Sequence, residues 1–252
     1  MSISQLRTRL PEHADAELPE SVSSDAAAPE QPGRECPLCP RLVSYREANR
    51  TANPTWWNAP VPSWGALDAE LLIVGLAPGV KGANRTGRPF TGDFAGTLLY
   101  ETLLKFGFAA GRYGADPSDD LALRGCRIVN AVRCVPPANL PQPVEVRSCN
   151  RFMRSELQAM RPLRAVLALG VLAHSAVLTA CGIPMSRLRF RHGQILTLPD
   201  GLLLADSYHV SRYNTNTGRL TTAMFETVVE ALRQKLDTPS ADADGQMPLN
   251  QL

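Results

Sequence analysis

The stretch from Glu70 to Phe108, ELLIVGLAPGVKGANRTGRPFTGDFAGTLLYETLLKFGF, limits the fold more than any other part of the chain. It opens on Leu71-Leu72-Ile73-Val74, an unbroken apolar run that fits a strand covered on both faces. A polar loop follows, carrying Gly75, Gly79, Gly82, Gly87 and Gly92. The stretch closes as an amphipathic helix, with Leu98, Leu99, Leu103 and Phe106 at helical spacing. Asp93 stands where that helix starts, so its carboxylate can cap free amides at the positive end of the helix dipole. Strand, long loop and helix in this order is how open α/β folds build a ligand site at the carboxyl edge of a sheet. The loop is too long for a plain connector.

The rest of the chain repeats the alternation. Cys126 to Arg133 reads as a second buried strand and runs into Cys134-Val-Pro-Pro-Ala-Asn-Leu-Pro-Gln-Pro143, which cannot be regular. A helix is expected over Val144–Met160, a third strand over Arg164–Leu169 and a helix over Val171–Ala180. Gln194–Leu198 and Leu202–Ala205 flank Asp200-Gly201, a hairpin signal. Asp206 to Asn216 reads as a polar loop, and Thr217 as the cap of a last helix with Leu220, Met224, Val228 and Leu232 on its apolar side. Upstream, a helix is expected from Arg41 to Ala48, then a proline-rich loop with three tryptophans, Asn53 to Gly65. Such alternation predicts a parallel sheet with helices on both faces.

Residues 1–34 and 238–252 are polar and poor in aromatics, so both read as disordered tails around a folded unit of residues 35–237. A formal net charge of +2 announces no overall basic field. Arginines nonetheless bunch in loops (Arg85, Arg88, Arg133, Arg147, Arg212, Arg219) and could make a local anion-binding patch. No apolar run approaches the roughly 20 residues of a membrane span, and the amino-terminal segment lacks a signal-peptide core.

Cys36, Cys39, Cys134 and Cys149 lie in or near loops. The first two form a C-x-x-C pair among prolines, while Cys134 leaves a buried strand and Cys149 returns on the next helix. Four thiolates suit zinc or an iron–sulfur cluster, and the unequal spacing of the pairs leans toward a cluster. The plain alternative is six unligated core thiols; Cys126 and Cys181 are expected to be packing residues in any case.

At this point the motifs carry a resemblance. Gly75-Leu-Ala-Pro-Gly-Val-Lys-Gly-Ala-Asn-Arg-Thr-Gly-Arg-Pro-Phe-Thr-Gly-Asp93 closely resembles the first motif of the family 5 (class b) uracil-DNA glycosylases. His209-Val-Ser-Arg-Tyr-Asn-Thr-Asn-Thr-Gly-Arg-Leu220 is similar to their second motif, and Asn130-Ala-Val-Arg-Cys134 to the segment between. Family 4 shares the cysteines but carries Glu where Leu76 stands. The resemblance implies a three-layer α/β/α sandwich with a central, mainly parallel sheet. It implies a [4Fe-4S] cluster on Cys36, Cys39, Cys134 and Cys149. It implies removal of uracil, and of hypoxanthine and other damaged bases, from DNA. The expected setting is the cytoplasm of a bacterium or archaeon, at the nucleoid, as a monomer without a membrane partner. The competing classes are a non-catalytic iron–sulfur DNA-binding or redox-sensing protein and a Cys₄ zinc module.

Cleaving an N-glycosidic bond builds positive charge on the sugar and negative charge on the departing base, and the base must first leave the helix. Phe90 is the candidate stacking platform and Asn130 the reader of the base edge, since an amide both donates and accepts. His209 is the candidate donor to uracil O2, and Asp93 the carboxylate that supports the sugar cation or orients water. The amides around Gly79 and Val80 are expected at the base or a phosphate, with Asn84, Arg85 and Thr86 shaping the pocket. Ser211, Arg212, Tyr213 and Asn214 are expected to enter the DNA, and Arg219 to meet a phosphate. This chain has Val210 and Arg212 where the family pattern commonly has proline. The cluster is expected to be structural, with Arg133 and Arg147 turned to DNA.

Overall fold

The computed structural model describes residues 28–238. Its elements run α1 (Pro40–Ala52), β1 (Leu71–Gly75), α2 (Ala83–Thr86), α3 (Phe94–Lys105), β2 (Ala109–Ala110), β3 (Ala122–Leu123), β4 (Cys126–Asn130), α4 (Pro143–Ala159), β5 (Ala165–Leu169), α5 (Val171–Ala180), β6 (Ile195–Thr197), β7 (Leu203–Ser207), α6 (Arg212–Asn216) and α7 (Thr222–Asp237). The main sheet has the order β4-β1-β5-β7-β6. Its first four strands are parallel, and β6 closes the edge antiparallel through the expected hairpin.

Side chains of a strand alternate between faces, so each central strand must be apolar at every position. Leu71 and Ile73 of β1 join one core with Leu99 and Leu103 of α3 and Phe225 and Val229 of α7. Leu72 and Val74 join the other, with Met153 of α4 and Ala173 and Val177 of α5. Two helices on each face make the α/β/α sandwich.

Several local expectations change. Strand β7 runs on through Asp206 and Ser207, because Asp206 is fully buried and its carboxylate is matched by His174 and Gln194. The supposed loop after it contains α6, capped by Ser211, whose Oγ accepts from the Asn214 amide. Thr217 ends α6; Gly218, at φ +70°, breaks the chain there, and Thr221 caps α7. The small β2–β3 pair was not expected. Residues 1–27 and 239–252 of the two expected tails lie outside the described residues. Within 28–34, Gln31 donates to Glu156 and accepts from Arg133, so this part of the amino-terminal segment is packed onto the domain.

Two arginines assigned to a surface patch are buried instead. Arg133 is 1% exposed and pairs with the buried Glu156, which also binds Arg127. Arg88 forms a two-pronged bond to Asp119 (2.7 and 2.8 Å) and lies over the Trp64 ring. A buried guanidinium needs such a partner, because an unpaired one costs several kcal/mol, roughly 3–5. Arg147 is exposed.

Candidate active site at the carboxyl rim of the sheet

Strands β1 and β4 are in register, so Gly75 and Asn130 sit side by side at the carboxyl end. Gly75 leaves room there. A Cβ on it would overlap Asn130 Oδ1 and come within 2.5 Å of Phe90 Cζ. Both side chains therefore close over one glycine.

Phe90 holds a left-handed backbone, φ +50°, which costs a bulky residue about 1–3 kcal/mol. Its neighbours hold it there. The Tyr100 hydroxyl donates to Pro89 O (2.5 Å), the Tyr113 hydroxyl donates to Phe90 O (3.1 Å), and the Arg88–Asp119 pair anchors the residues just before. Asp119 stays charged because Arg88 holds its pKa down at about 2. A Cβ at Gly96 would strike Phe90 O, so α3 can approach this turn only with glycine at that position.

The His209 ring lies 6.0 Å from the Phe90 ring, tilted by 30°. Asn214 Nδ2 donates to His209 O (2.8 Å), and the preceding Tyr208 amide donates to His192 Nδ1. Burial pushes the His209 pKa down to about 4, so the imidazole is neutral at neutral pH. A neutral ring carries one N–H donor.

Asp93 caps α3, accepting from the Ala95 amide (3.2 Å). Its carboxylate also rests against Gly79 and Gly82, where any Cβ would strike it. Burial raises its pKa above the ordinary carboxylate range, while the Ala95 and Gly96 amides and Arg212 pull it back.

These groups share one cavity of about 640 Å³. Gly79, Phe90, Asp93, Asn130, His209, Ser211, Arg212 and Tyr213 all line it. Asn130 is 4% exposed and its Oδ1 has no hydrogen-bond partner. Arg212 lies over Phe94, 5.3 Å from the ring centre, and Tyr213 is 71% exposed at the mouth. Three assigned residues stand elsewhere. Val80 is outside the lining, Asn214 braces His209 from behind, and Arg219 lies over Tyr208 in the neighbouring groove. Asn84 is buried against Asn58, tying the loop to the tryptophan-rich segment rather than shaping the cavity. Sequence reasoning missed Lys81, Phe94 and Asn139 in the lining. Asn139 follows Ala138, and both hold left-handed backbones. An asparagine in a proline-rich turn was the available signal for it.

On the far side of β4, Cys36, Cys39, Cys134 and Cys149 line a second, narrow cavity, walled by Leu42, Val132 and Phe152. Burial, with a smaller push from neighbouring thiols, raises the Cys134 pKa to about 12 and that of Cys149 to about 11. Arg46 is buried against this cavity, and its Nε has no partner. Among the described residues, no three His, Cys, Asp or Glu side chains stand in metal-ligating geometry. The donor set itself suits a soft, anionic group: four sulfurs, an apolar wall and one unmatched cationic donor. Cys126 is buried as expected, its Sγ donating to Phe108 O, whereas Cys181 is half-buried at the end of α5.

The fold and the rim cavity define a class. Residues 62–233 match the family described as the Uracil DNA glycosylase superfamily. A type-5 uracil-DNA glycosylase of Thermus thermophilus is 46% identical over 204 residues, covering 79% of this chain and 93% of that one. One from Pyrobaculum aerophilum is 43% identical over 203 residues, covering 79% and 87%. A type-4 uracil-DNA glycosylase of Archaeoglobus fulgidus is 35% identical over 111 residues, covering 44% and 48%. The chain belongs to the uracil DNA glycosylase superfamily, and within it to the type-5 family.

Proposed function

We propose that this protein is a monofunctional DNA glycosylase. It hydrolyses the N-glycosidic bond of uracil, and of hypoxanthine or other deaminated bases, in DNA, leaving an abasic site that starts base excision repair. The observation that carries the reading is the partnerless Asn130 Oδ1 in a cavity shared with Phe90 and His209. A buried acceptor without a donor is costly, and the N3–H of an extruded uracil would satisfy it.

In this reading the base stacks on Phe90 and is read by Asn130. Neutral His209 donates to O2 as negative charge gathers on the leaving base. Asp93, held by the α3 amides, supports the positive sugar or orients the water whose oxygen bonds to C1′. The base departs with its bonding electrons and is then protonated. Tyr213 and Arg212, on the rim, enter the space the base leaves. Backbone amides at Gly79 approach the base or its phosphate because no side chain blocks them.

The four cysteines would hold a [4Fe-4S] cluster, supported by their common cavity and the unmatched Arg46 Nε. A cluster there ties the amino-terminal segment to the loop after β4 and supplies no step of the hydrolysis. The enzyme acts as a monomer in the cytoplasm, at the nucleoid; no helix among the described residues is long and apolar enough to cross a membrane.

The test is a panel of oligonucleotides bearing uracil, hypoxanthine and modified pyrimidines. The expected result is alkali-labile strand scission at the lesion, with His209→Ala slower by about 10²–10³-fold, the usual cost of removing one such donor. Binding without scission on every lesion would overturn the proposal.

A further inference from the structure

The segment between α5 and β6 carries an alternation that the base cavity does not use. In Ser186-Arg-Leu-Arg-Phe-Arg-His-Gly193 an arginine recurs at every second position. Arg187, Arg189 and Arg191 are exposed, while the residues between them turn inward. Leu188 packs on the α4–α5 core, Phe190 meets His174 edge-on (5.9 Å), and His192 stacks on Tyr208 (4.8 Å, 7°).

The segment is fastened from beneath. Buried Asp206 pairs with His174 Nδ1 (2.8 Å) and accepts from Gln194 Nε2 (2.7 Å) and the Arg191 amide (3.3 Å). His174 Nε2 lies 3.0 Å from Leu188 O. Asp206 is thereby occupied below the surface and leaves the arginine side chains unmatched. No acidic residue occurs from Cys181 to Leu198. Among the described residues, the buried arginines all have carboxylate partners, Arg88 with Asp119, Arg133 with Glu156 and Arg46 near Glu35. Among the described residues, Arg187, Arg189, Arg191 and Arg219 have none.

Arg189 and Arg191 line a groove of about 980 Å³, and Arg219 joins them, its guanidinium 4.7 Å from the Tyr208 ring centre. The groove shares Leu76 and His209 with the base cavity, so it is continuous with the site. Unmatched cations gathered on one braced wall repel each other and favour a polyanion.

We propose that Arg189, Arg191 and Arg219 form a track for the sugar–phosphate backbone of the DNA strand flanking the extruded nucleotide. This rests on the glycosylase reading for its partner, but its test does not need catalysis. Binding of the full chain to an undamaged duplex is measured against salt for the wild type, Arg189→Ala/Arg191→Ala and Arg189→Lys/Arg191→Lys. A control, Arg154→Ala/Arg161→Ala, removes equal charge at exposed positions in the second half of α4 and just beyond it, outside the groove lining.

Each phosphate contact contributes about 0.9 to the slope of log K against log salt. The alanine pair is expected to lower the slope by nearly two and to weaken binding about tenfold or more at low salt. The lysine pair keeps most of the slope, and the control keeps all of it. An unchanged slope in the alanine pair, or an equal fall in the control, overturns the track. Wild-type protein that binds DNA through these residues yet releases no base from the lesion panel would sink the glycosylase reading and leave the track standing.

Discussion

Two cavities diverge from the end of β4. Asn130 faces one and Cys134, four residues on, faces the other. Each holds a buried polar atom with no partner, Asn130 Oδ1 in the first and Arg46 Nε beside the second. They differ in kind and in room. Asn130 offers an acceptor in a wide cavity of about 640 Å³, open at a rim of exposed Tyr213 and Arg212. Arg46 offers a donor beside four thiols in a narrow, apolar-walled space. An open cavity with a lone acceptor suits a visiting N–H donor. A closed one with four thiols and an unmatched guanidinium N–H suits a resident anion. On the reading proposed above, the first cavity would take a visiting base and the second a resident cluster.

The largest effects should come from breaking the resident side. Cys134→Ser/Cys149→Ser is expected to lose iron and the absorbance near ~400 nm that thiolate-bound clusters show. It should also cut the tie between the amino-terminal segment and the loop after β4, and so lower Tm, because binding free energy of a resident metal group is folding free energy. Colourless wild-type protein that melts together with the double variant would erase the distinction between the cavities. The visiting side should respond in the opposite way. Gly75→Ala places a Cβ onto Asn130 Oδ1 and the Phe90 ring, so one of them must move. A displacement of about 1 Å costs on the order of 10²-fold in rate. Excision should fall at least that far while iron content stays at the wild-type level. Unchanged excision would mean that Phe90 and Asn130 do not act on one base.

Much of this was legible in the chain, for a definite reason. The fold rests on buried strands and amphipathic helices, whose periods are written in residues such as Leu71 to Val74 and Leu98 to Leu103. Asp93, Asn130 and His209 come together because each stands at or just beyond a strand end or helix start on one rim, and Phe90 joins them from the loop before α3. What failed depended on partners far away in sequence. Arg88 and Arg133 look like surface cations until Asp119 and Glu156 are placed beside them. Asp206 looks like a loop residue until His174 arrives from α5. Asn139 enters the base cavity only because the turn after Pro136 takes two left-handed residues in a row. No local pattern announces those pairings.

The smallest effect is also the finest test of the open cavity, because it separates the two titratable groups inside it. His209, with its pKa near 4, stays neutral throughout an ordinary assay range and sets no limb there. Asp93 has a raised pKa, chiefly through burial, so its carboxylate takes up a proton at higher pH than an ordinary aspartate. If the anion supports the sugar cation, kcat falls as pH drops through that raised value. Arg212 opposes the shift, so Arg212→Gln should move the acid limb to still higher pH. Asp93→Asn should cost about 10²-fold at neutral pH, the low end of what such a group contributes, and should flatten the limb. Asparagine caps a helix about as well as aspartate, so α3 and the melting temperature should be preserved. An acid limb that survives in Asp93→Asn would return this residue to the role of a helix cap and leave leaving-group stabilisation to His209 alone.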